Sequence, residues 1–305
     1  MTSTMITAAA AGTWTLGDRT VNRLGFGTMR LPQHGEALIP DAVPRDPDQA
    51  IAVLRRAVEL GVNHLDTAAF YFSPLTSANE LINRALAPYP DDLVIVTKVG
   101  PGRDPSGEWL PHATPGQLRG QVEENLRQLG RDHLDVVNLR IVGSDSIAER
   151  FGALAELRDA GLVRHLGLSN IKPHQLAEAQ AIAPVVCVQN MYGIGASAEQ
   201  EEMLRICGER GIAFVPFYSI AGSGRTAGAP VDALADGEGA VEAVARARGV
   251  SAAQIRLAWT LRRGPHVLAI PGTGDLGHLA QNVAAGALRL SAEELGALGE
   301  LGSAV

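Results

Sequence analysis

Short apolar runs alternate with longer amphipathic segments along almost the whole chain. Most of these runs are apolar at consecutive positions, so both faces of each predicted strand are apolar. Such strands, separated by helical segments, indicate a parallel sheet that is buried on both faces. The eight predicted strands cover residues 24–29, 63–67, 92–98, 134–142, 165–169, 185–190, 212–217 and 267–270.

Eight strand–helix units in about 250 residues predict a closed (β/α)8 TIM barrel of the α/β class. An open, doubly wound sheet is the alternative. An N-terminal β-hairpin precedes the first unit, turns at Gly17-Asp18 and is expected to cover the barrel floor. No change of composition marks a domain boundary. The sequence therefore predicts a flexible tail over residues 1–12 and a single barrel domain over residues 13–305.

Capping signals mark the helix ends. Capping boxes are predicted at Asp46 with Gln49 and at Ser77 with Glu80, and a third helix is expected to end at Gly130. Further helical patterns cover residues 147–160, 173–181, 198–210 and 252–263.

Composition and charge exclude several classes of protein. The 305 residues are 46% hydrophobic and carry a formal net charge of −7 without a basic run, which argues against nucleic-acid binding. No apolar run reaches the ~18 residues that span a bilayer, and the first twelve residues lack the Lys or Arg of a signal peptide. The two cysteines, Cys187 and Cys207, cannot form a disulfide framework. We therefore expect a cytoplasmic protein without a membrane partner.

The carboxyl ends of the strands hold the candidate chemistry, because reactive groups of such barrels lie there. Asp66 and Lys98 end neighbouring strands, and a buried charge at such a position is costly unless it is paired. Lys98 is notable because only two of the 26 basic residues are lysines. On spacing alone the pair is either structural or catalytic. The other polar residues at these ends and in the loops that follow are Tyr71, Arg140, Ser169, Asn170, Gln189, Asn190 and Thr273.

Tyr71 follows Asp66 by five residues and offers a proton donor. The unperturbed pKa of a tyrosine is near 10, too high for ready proton exchange at neutral pH. A neighbouring ammonium is expected to lower the pKa of Tyr71, and a carboxylate would hold that ammonium in place. Such a phenol could protonate a carbonyl oxygen while a hydride reaches the carbon.

Five motifs resemble the aldo-keto reductase family. GVNHLDTAAFY, VIVTK, GLVRHLGLSN, VQNMY and IPGTGDLGHLAQN occur in the order and spacing of that family over roughly residues 14–300. The strings VNRLG, VNLR, VCVQN and VPF are similar to a bacterial branch that includes pyridoxal reductases. The resemblance implies a barrel enzyme that reduces aldehydes or ketones with NADPH and needs no metal. Tyr71 would be the acid/base, with Asp66 and Lys98 as the groups that tune it.

The resemblance also implies where the nicotinamide half of NADP(H) binds. Gly27, Thr28 and Met29 correspond to the backbone stretch under the nicotinamide ribose, which Asp66 also reaches. Phe217 corresponds to the aromatic residue that stacks on the nicotinamide ring. A phenylalanine that only packs in the core would give the same sequence pattern. The carboxamide would be bound by residues whose donors and acceptors suit an amide, namely Ser169, Asn170 and Gln189.

The rest of the dinucleotide corresponds to two later segments. The loop that starts with Tyr218 and Ile220 would follow the pyrophosphate through its backbone amides. Residues 222–227 of this loop also match a Gly-rich dinucleotide fingerprint, but no helix opens at once behind them, so we interpret the match as coincidence. The residues that would hold the adenosine end are Gly272, Thr273, Gly274, His278, Gln281 and Asn282.

The sequence departs from the family pattern in three ways. Arg140 stands where the family usually has a histidine, and its fixed positive charge would favour a developing oxyanion. Tyr218-Ser219-Ile220 replaces the usual Ser-Pro-Leu after the stacking aromatic. Gly272 and His278 replace basic residues that often bind the 2′-phosphate, so NADH use stays open, and Arg225 is a weaker candidate for that phosphate.

The resemblance to the pyridoxal-reducing branch favours pyridoxal or another aromatic carbonyl as the substrate. Phe72 and Trp109 are weaker predictions for the substrate pocket, where an aromatic wall could stack on a flat ring. The main alternative is a regulatory or sensor subunit that binds NADP(H) without significant turnover. A barrel isomerase that uses Asp66 and Lys98 would require all five motifs to be accidental. We expect a monomer or a weak homo-oligomer.

Overall fold

The computed structural model describes residues 6–220 and 238–299. Within these ranges no helix combines the length and the apolar character needed to cross a membrane. The strands are β1 (Thr13–Leu16), β2 (Arg19–Asn22), β3 (Phe26–Gly27), β4 (Gln33–His34), β5 (Val43–Pro44), β6 (His64–Asp66), β7 (Val94–Val99), β8 (Leu134–Arg140), β9 (Val163–Ser169), β10 (Cys187–Gln189) and β11 (Ala213–Phe214). The helices are α1 (Pro47–Glu59), α2 (Ala78–Leu86), α3 (Leu118–Leu129), α4 (Ala148–Asp159), α5 (Pro173–Gln180), α6 (Ala198–Glu209), α7 (Glu238–Arg248), α8 (Ala252–Arg262), α9 (Leu276–Ala284) and α10 (Ala292–Ala297).

Seven parallel strands form one curled sheet in the order β3, β6, β7, β8, β9, β10 and β11. Residues 267–270 close it, because Val267 bridges Phe214 of β11 and Ala269 bridges Leu24 before β3. Backbone hydrogen bonds of 2.8–2.9 Å accompany both bridges. The predicted eight-stranded barrel is therefore confirmed, and the open-sheet alternative is wrong.

Alternate residues of each barrel strand face two different cores. On β7, Val94 and Val96 point into the barrel, where they pack with Leu16 and Val21 of the N-terminal hairpin. Ile95 belongs instead to the larger core between the strands and the helices. This arrangement is why the strands are apolar at consecutive positions.

The hairpin of β1 and β2 covers the barrel floor, as predicted. The two strands pair antiparallel around Gly17-Asp18. Gly17 has a φ of +67°, and a Cβ there would lie 2.5 Å from the ring of His165, so only glycine fits. Nε2 of His165 lies 2.7 Å from Oδ1 of Asp18, which anchors the turn to β9.

The segment predicted as a flexible tail is packed from Ala8 onward. Residues Ala8–Ala11 form a 3₁₀ turn in which Ala8 and Ala11 are buried. The amide of Ala8 donates to the carbonyl oxygen of Leu60 at 2.8 Å. The prediction of a tail was therefore wrong for residues 8–11, because small alanine side chains let this turn pack closely against the core.

The capping predictions were correct for α2 and wrong for α1. At α2 the Ser77 hydroxyl accepts from the amide of Glu80, and the Glu80 carboxylate accepts from the amide of Ser77, both at 3.1 Å. At α1 the Asp46 carboxylate accepts from the amide of Asp48 at 2.9 Å, and no reciprocal box with Gln49 forms. Helix α3 ends at Gly130, as predicted, in the left-handed conformation.

Candidate active site

A buried ion pair joins the ends of β6 and β7. The ammonium of Lys98 donates to both carboxylate oxygens of Asp66, at 2.7 and 2.8 Å, and to the carbonyl oxygen of Thr67 at 3.0 Å. Lys98 is 3% and Asp66 4% exposed. The side-chain amide of Gln189 on β10 donates to the same carboxylate at 2.7 Å. All three hydrogens of the ammonium therefore have acceptors, and both charges are compensated inside the barrel.

Tyr71 lies directly above this pair, in the loop after β6. Nζ of Lys98 is 4.9 Å from the centroid of the tyrosine ring. The ring is 7% exposed and belongs to a small apolar cluster with Phe70, Ala68 and Ala78, against which Met29 packs. The rings of Phe70 and Tyr71 meet edge to face, with centroids 5.1 Å apart. The phenol is thus held by packing above a fixed cation.

The ionisation of these groups differs in one respect from the sequence-based expectation. Burial raises the pKa of Tyr71 above its ordinary value, and the opposing effects of Lys98 and Arg140 are smaller. Burial alone would lower the pKa of Lys98, but Asp66 and the phenol oxygen raise it by more, so the pKa lies above its ordinary value. Lys98 therefore lowers the pKa of Tyr71, as predicted, but burial outweighs this effect. The arrangement holds a protonated phenol above a charged ammonium.

Arg140 ends β8 and faces the mouth of the barrel. Its guanidinium donates to the Ser169 hydroxyl at 3.1 Å, and Cζ lies 5.3 Å from the centroid of the Phe217 ring. The carbonyl oxygen of Arg140 accepts a hydrogen bond from Nε2 of His112 at 2.7 Å. Within the described part of the chain, no carboxylate forms an ion pair with Arg140. Its charge is therefore available to a group in the mouth.

Of the residues predicted to bind the nicotinamide carboxamide, only some lie together at the mouth. Ser169 is buried beside Arg140, and Gln189 presents its amide to Asp66. Asn170 is exposed, has a φ of +59° and donates from its side chain to the carbonyl oxygen of Ile141 at 2.9 Å. A hydroxyl, an amide and the half-buried ring of Phe217 at one mouth fit the donors, acceptors and flat face of a nicotinamide carboxamide.

The stretch from Gly27 to Met29 borders the same mouth. The amide and the hydroxyl of Thr28 both donate to the carbonyl oxygen of Asp66, at 2.9 and 3.0 Å. A Cβ on Gly272 would lie 2.5 Å from the carbonyl oxygen of Gly27, so these backbones touch. The predicted ribose and adenosine segments are therefore neighbours in space.

The other predicted cofactor residues lie after β11 and around the start of α9. Tyr218 has a φ of +62° and meets the Phe217 ring edge to face at 5.3 Å, while Ile220 packs against the outer core. Residues 222–227, including Arg225, lie outside the described residues. Before and in α9, Gly274 and Asn282 are buried, Gly272 and Thr273 are half-buried, and His278 and Gln281 are exposed.

The two predicted pocket residues meet around an arginine that sequence reasoning missed. The guanidinium of Arg103 lies 4.5 Å from the Phe72 ring centroid and 5.9 Å from that of Trp109. It also donates to the carbonyl oxygens of Phe72 at 3.2 Å and Ile39 at 3.1 Å. Arg103 thereby ties three mouth loops together. Trp109 remains 50% exposed, so an aromatic face is open beside the mouth.

His112 and Arg45 were missed as well. His112 supports the backbone of Arg140, and Arg45 lies against Gly274. Like Arg103, both contact backbone carbonyls of segments far away along the chain. A single loop arginine or histidine has no periodicity or motif, so the sequence carried no signal for any of them.

Comparison with known proteins relates this chain to one family. A sequence model described as "Aldo/keto reductase family" matches residues 23–302. The chain is 44% identical over 298 residues to pyridoxine 4-dehydrogenase of Escherichia coli, covering 95% of this chain and 98% of the relative. It is 38% identical over 301 residues to an uncharacterized oxidoreductase of Schizosaccharomyces pombe, covering 98% and 93%.

A solved structure is similar over the same extent. The aldo-keto reductase of Klebsiella pneumoniae in complex with NADPH has a TM-score of 0.75 and 28% identity, and the match covers 94% of this chain and 93% of that one. The family match spans nearly the whole barrel, including every residue of the cluster around Asp66, Lys98 and Tyr71. The chain therefore belongs to the aldo/keto reductase family.

Proposed function

We propose that this protein is an NADP(H)-dependent oxidoreductase that reduces an aldehyde or ketone to an alcohol, with Tyr71 as the proton donor. The observation that carries the proposal is the buried pair of Asp66 and Lys98 beneath the Tyr71 ring. A purely structural ion pair would not need a buried phenol above it. The family membership and the 44% identity to a pyridoxine 4-dehydrogenase support the same reading.

NADPH, when bound, supplies a hydride to the carbonyl carbon. The protein's own part is the proton that must reach the carbonyl oxygen, which Tyr71 donates from its hydroxyl. As the phenol becomes a phenolate, the ammonium of Lys98 stabilises the new negative charge. Asp66 keeps that ammonium charged and in position, and Gln189 fixes the carboxylate through its 2.7 Å hydrogen bond. In the reverse direction the phenolate accepts the proton of the alcohol.

Arg140 adds a second, charged donor at the mouth. A guanidinium near a developing alkoxide favours the transition state because its charge is fixed and partly shielded from water. The contact with the Phe217 ring at 5.3 Å holds the guanidinium over the mouth rather than in solvent. Arg140 thus takes the orienting role that a histidine has in most of the family.

The donor set supports NADP(H) as the cofactor. Ser169, Gln189 and Phe217 suit the nicotinamide carboxamide and ring, and the segment from Gly272 to Asn282 suits the adenosine end. The Klebsiella pneumoniae relative was crystallised with NADPH. NADH is the competing cofactor, because Gly272 and His278 offer little fixed charge for a 2′-phosphate.

An aromatic carbonyl such as pyridoxal is the proposed substrate class. Phe72 and Trp109 supply aromatic faces beside the mouth, and the E. coli relative is named for the corresponding alcohol, pyridoxine. A flat ring that stacks on such faces gains apolar contact beyond its buried area. We further expect the protein to act as a monomer or weak homo-oligomer in the cytoplasm.

The test is a substrate panel under initial-rate conditions. The purified protein is assayed with NADPH and with NADH against pyridoxal, other aromatic aldehydes and aliphatic aldehydes of similar size. We expect NADPH-dependent reduction, with the highest kcat/KM for the aromatic group. Tight NADPH binding without turnover of any carbonyl would instead favour the regulatory-subunit alternative. Equal kcat/KM for aromatic and aliphatic aldehydes would contradict the substrate class alone.

A further inference from the structure

An arginine from the first loop of the barrel lies against the adenosine motif. Arg45 follows β5 and directly precedes Asp46, the N-cap of α1. Its guanidinium occupies the space that a side chain at position 274 would fill, because a Cβ on Gly274 would lie 2.1 Å from Cζ and 2.4 Å from Nε of Arg45. The absence of a side chain at Gly274 is therefore what lets this cation reach the segment before α9.

The contacts of Arg45 leave its charge poorly compensated. Nη1 donates to the carbonyl oxygen of Gly274 and Nη2 to that of Gln33, both at a long 3.4 Å. Nε is buried and has no hydrogen-bond partner in the described part of the chain. No carboxylate in the described residues forms an ion pair with it. A half-buried cation with such weak partners is costly unless an anion binds there.

The neighbouring Asp275 is the nearest acidic influence on Arg45. Its carboxylate caps α9 by accepting from the amide of His278 at 2.8 Å, so it is committed to the helix. Burial lowers the pKa of Arg45, and Asp275 only partly offsets that effect. The carboxylate therefore moderates the positive potential at this point without forming an ion pair that would remove it.

We propose that Arg45 binds a phosphate group of the dinucleotide and supplies the fixed positive charge that Gly272 and His278 do not. The proposal rests on the NADP(H) function proposed above. Two phosphate sources share this chemistry, the 2′-phosphate of NADPH and the pyrophosphate common to both cofactors. An arginine suits either one, because its planar fork pairs with two phosphate oxygens at once.

Binding measurements without catalysis test the assignment. Isothermal titration of wild type and Arg45→Gln uses NADPH, NADH, adenosine 2′,5′-bisphosphate and ADP as probes. We expect Arg45→Gln to weaken NADPH binding by about tenfold or more, the size of a lost charged hydrogen bond. Arg119→Gln, which removes the same charge from an exposed position on α3, is the matched control and should bind all four probes like wild type.

The four probes separate the two phosphates. If Arg45 contacts the 2′-phosphate, Arg45→Gln loses affinity for NADPH and adenosine 2′,5′-bisphosphate and keeps its affinity for NADH and ADP. If it contacts the pyrophosphate, NADPH, NADH and ADP all weaken together. Unchanged affinities for all four probes would overturn the role of Arg45. Failure of the wild type to bind either cofactor would overturn the proposed function itself.

A variant that is expected to strengthen phosphate binding distinguishes a loss of charge from a folding defect in Arg45→Gln. Asp275→Asn keeps an oxygen that can cap α9 but removes the negative charge beside Arg45. It should therefore bind the phosphate-bearing probe more tightly than wild type, by a smaller factor than Arg45→Gln weakens it. Arg45→Lys should fall between wild type and Arg45→Gln, because it keeps the charge and loses the fork. If Asp275→Asn binds every probe with wild-type affinity, the proposed positive potential at Arg45 is contradicted.

Discussion

The ammonium of Lys98 lies 4.9 Å from the centroid of the Tyr71 ring, while its three hydrogens are bound by Asp66 and Thr67. Lys98 acts on Tyr71 chiefly through its charge, which lowers the pKa of the phenol. Because burial raises the pKa of the phenol, the proton stays on Tyr71 until a base of comparable strength appears beside it. In the proposed reaction, a carbonyl oxygen that receives a hydride becomes such a base.

Tyr71→Phe should abolish most turnover and leave cofactor binding nearly unchanged. The substitution removes only the hydroxyl, and the ring can keep its contacts with Phe70 and Met29. We expect kcat for carbonyl reduction to fall by about 10²–10⁴-fold, the usual contribution of a general acid. NADPH consumption measures the rate, and fluorescence titration measures the dissociation constant. Reduction at near wild-type rate would show that another group donates the proton.

Lys98→Met should lower the rate and shift the pH–rate profile to higher pH. Without the ammonium, the phenolate loses its stabilising neighbour and the pKa of Tyr71 rises further. The same change leaves Asp66 buried without its cation, which typically costs about 3–5 kcal/mol of stability. The Asp66→Asn/Lys98→Met double variant is therefore the matched control, because it removes the unpaired charge. A folded double variant with an unchanged pH profile would mean that Lys98 is only structural.

The alternation of apolar runs was sufficient to predict the barrel, and the strand-end rule was sufficient to pair Asp66 with Lys98. Both depend on local sequence and on one topological fact, that parallel strands bring their carboxyl ends together. The predicted strand over 212–217 was longer than β11, because continuous strand pairing covers only Ala213 and Phe214, and Phe217 forms an isolated bridge with Met191. Pairing depends on the neighbouring strand, which a single run of residues does not specify.

The errors and omissions at the site have a common physical cause. The net direction of the Tyr71 pKa shift depends on burial, which the sequence does not report, so the neighbouring ammonium alone was not enough to predict it. Arg45 and Arg103 act at positions set by loop paths and by the backbone of other segments. Such contacts follow from tertiary structure and leave no spacing to recognise.

His64 should make the protein less stable in acid. It lies on β6 at 1% exposure, and neither ring nitrogen has a hydrogen-bond partner in the described part of the chain. Burial lowers its pKa from 6.5 to about 4. Between these two values the unfolded chain binds more protons than the folded one, so the contribution is complete above pH 6.5 and is lost as the pH falls through 4. The loss amounts to about 3 kcal/mol.

Denaturant titrations at neutral pH and near pH 4 check this expectation. His64→Asn is less stable overall, because it leaves space in the core, but it should lose about 3 kcal/mol less than wild type between the two pH values. His34→Asn changes an exposed histidine and should lose as much as wild type. If His64→Asn loses as much stability between neutral pH and pH 4 as wild type does, the folded protein already accommodates His64 as a cation.

Arg140 is one of the residues at which this chain departs from the majority pattern of its family, and two substitutions test its proposed part in the reaction. Arg140→His keeps a donor but loses the permanent charge, so turnover should fall and the preference among carbonyl substrates should change. Arg140→Met loses both, and kcat/KM should fall by the equivalent of about 2–4 kcal/mol if the contact with the oxyanion is direct. NADPH affinity should stay close to wild type in both variants. If both variants fold and show wild-type kinetics, Arg140 takes no part in the reaction.

A loss of activity in the Arg140 variants has a second possible cause, because the guanidinium also donates a hydrogen bond to the Ser169 hydroxyl. Ser169→Ala distinguishes the two causes. Ser169 belongs to the set proposed for the nicotinamide carboxamide, so an arginine that merely positioned this hydroxyl would act through the cofactor. In that case Ser169→Ala and Arg140→Met should share one defect, a weaker affinity for NADPH with a smaller change in kcat. If the guanidinium instead stabilises the oxyanion, Arg140→Met lowers kcat for every carbonyl while Ser169→Ala mainly weakens NADPH binding. The guanidinium packs against Phe217 independently of Ser169, so it can remain over the mouth in Ser169→Ala.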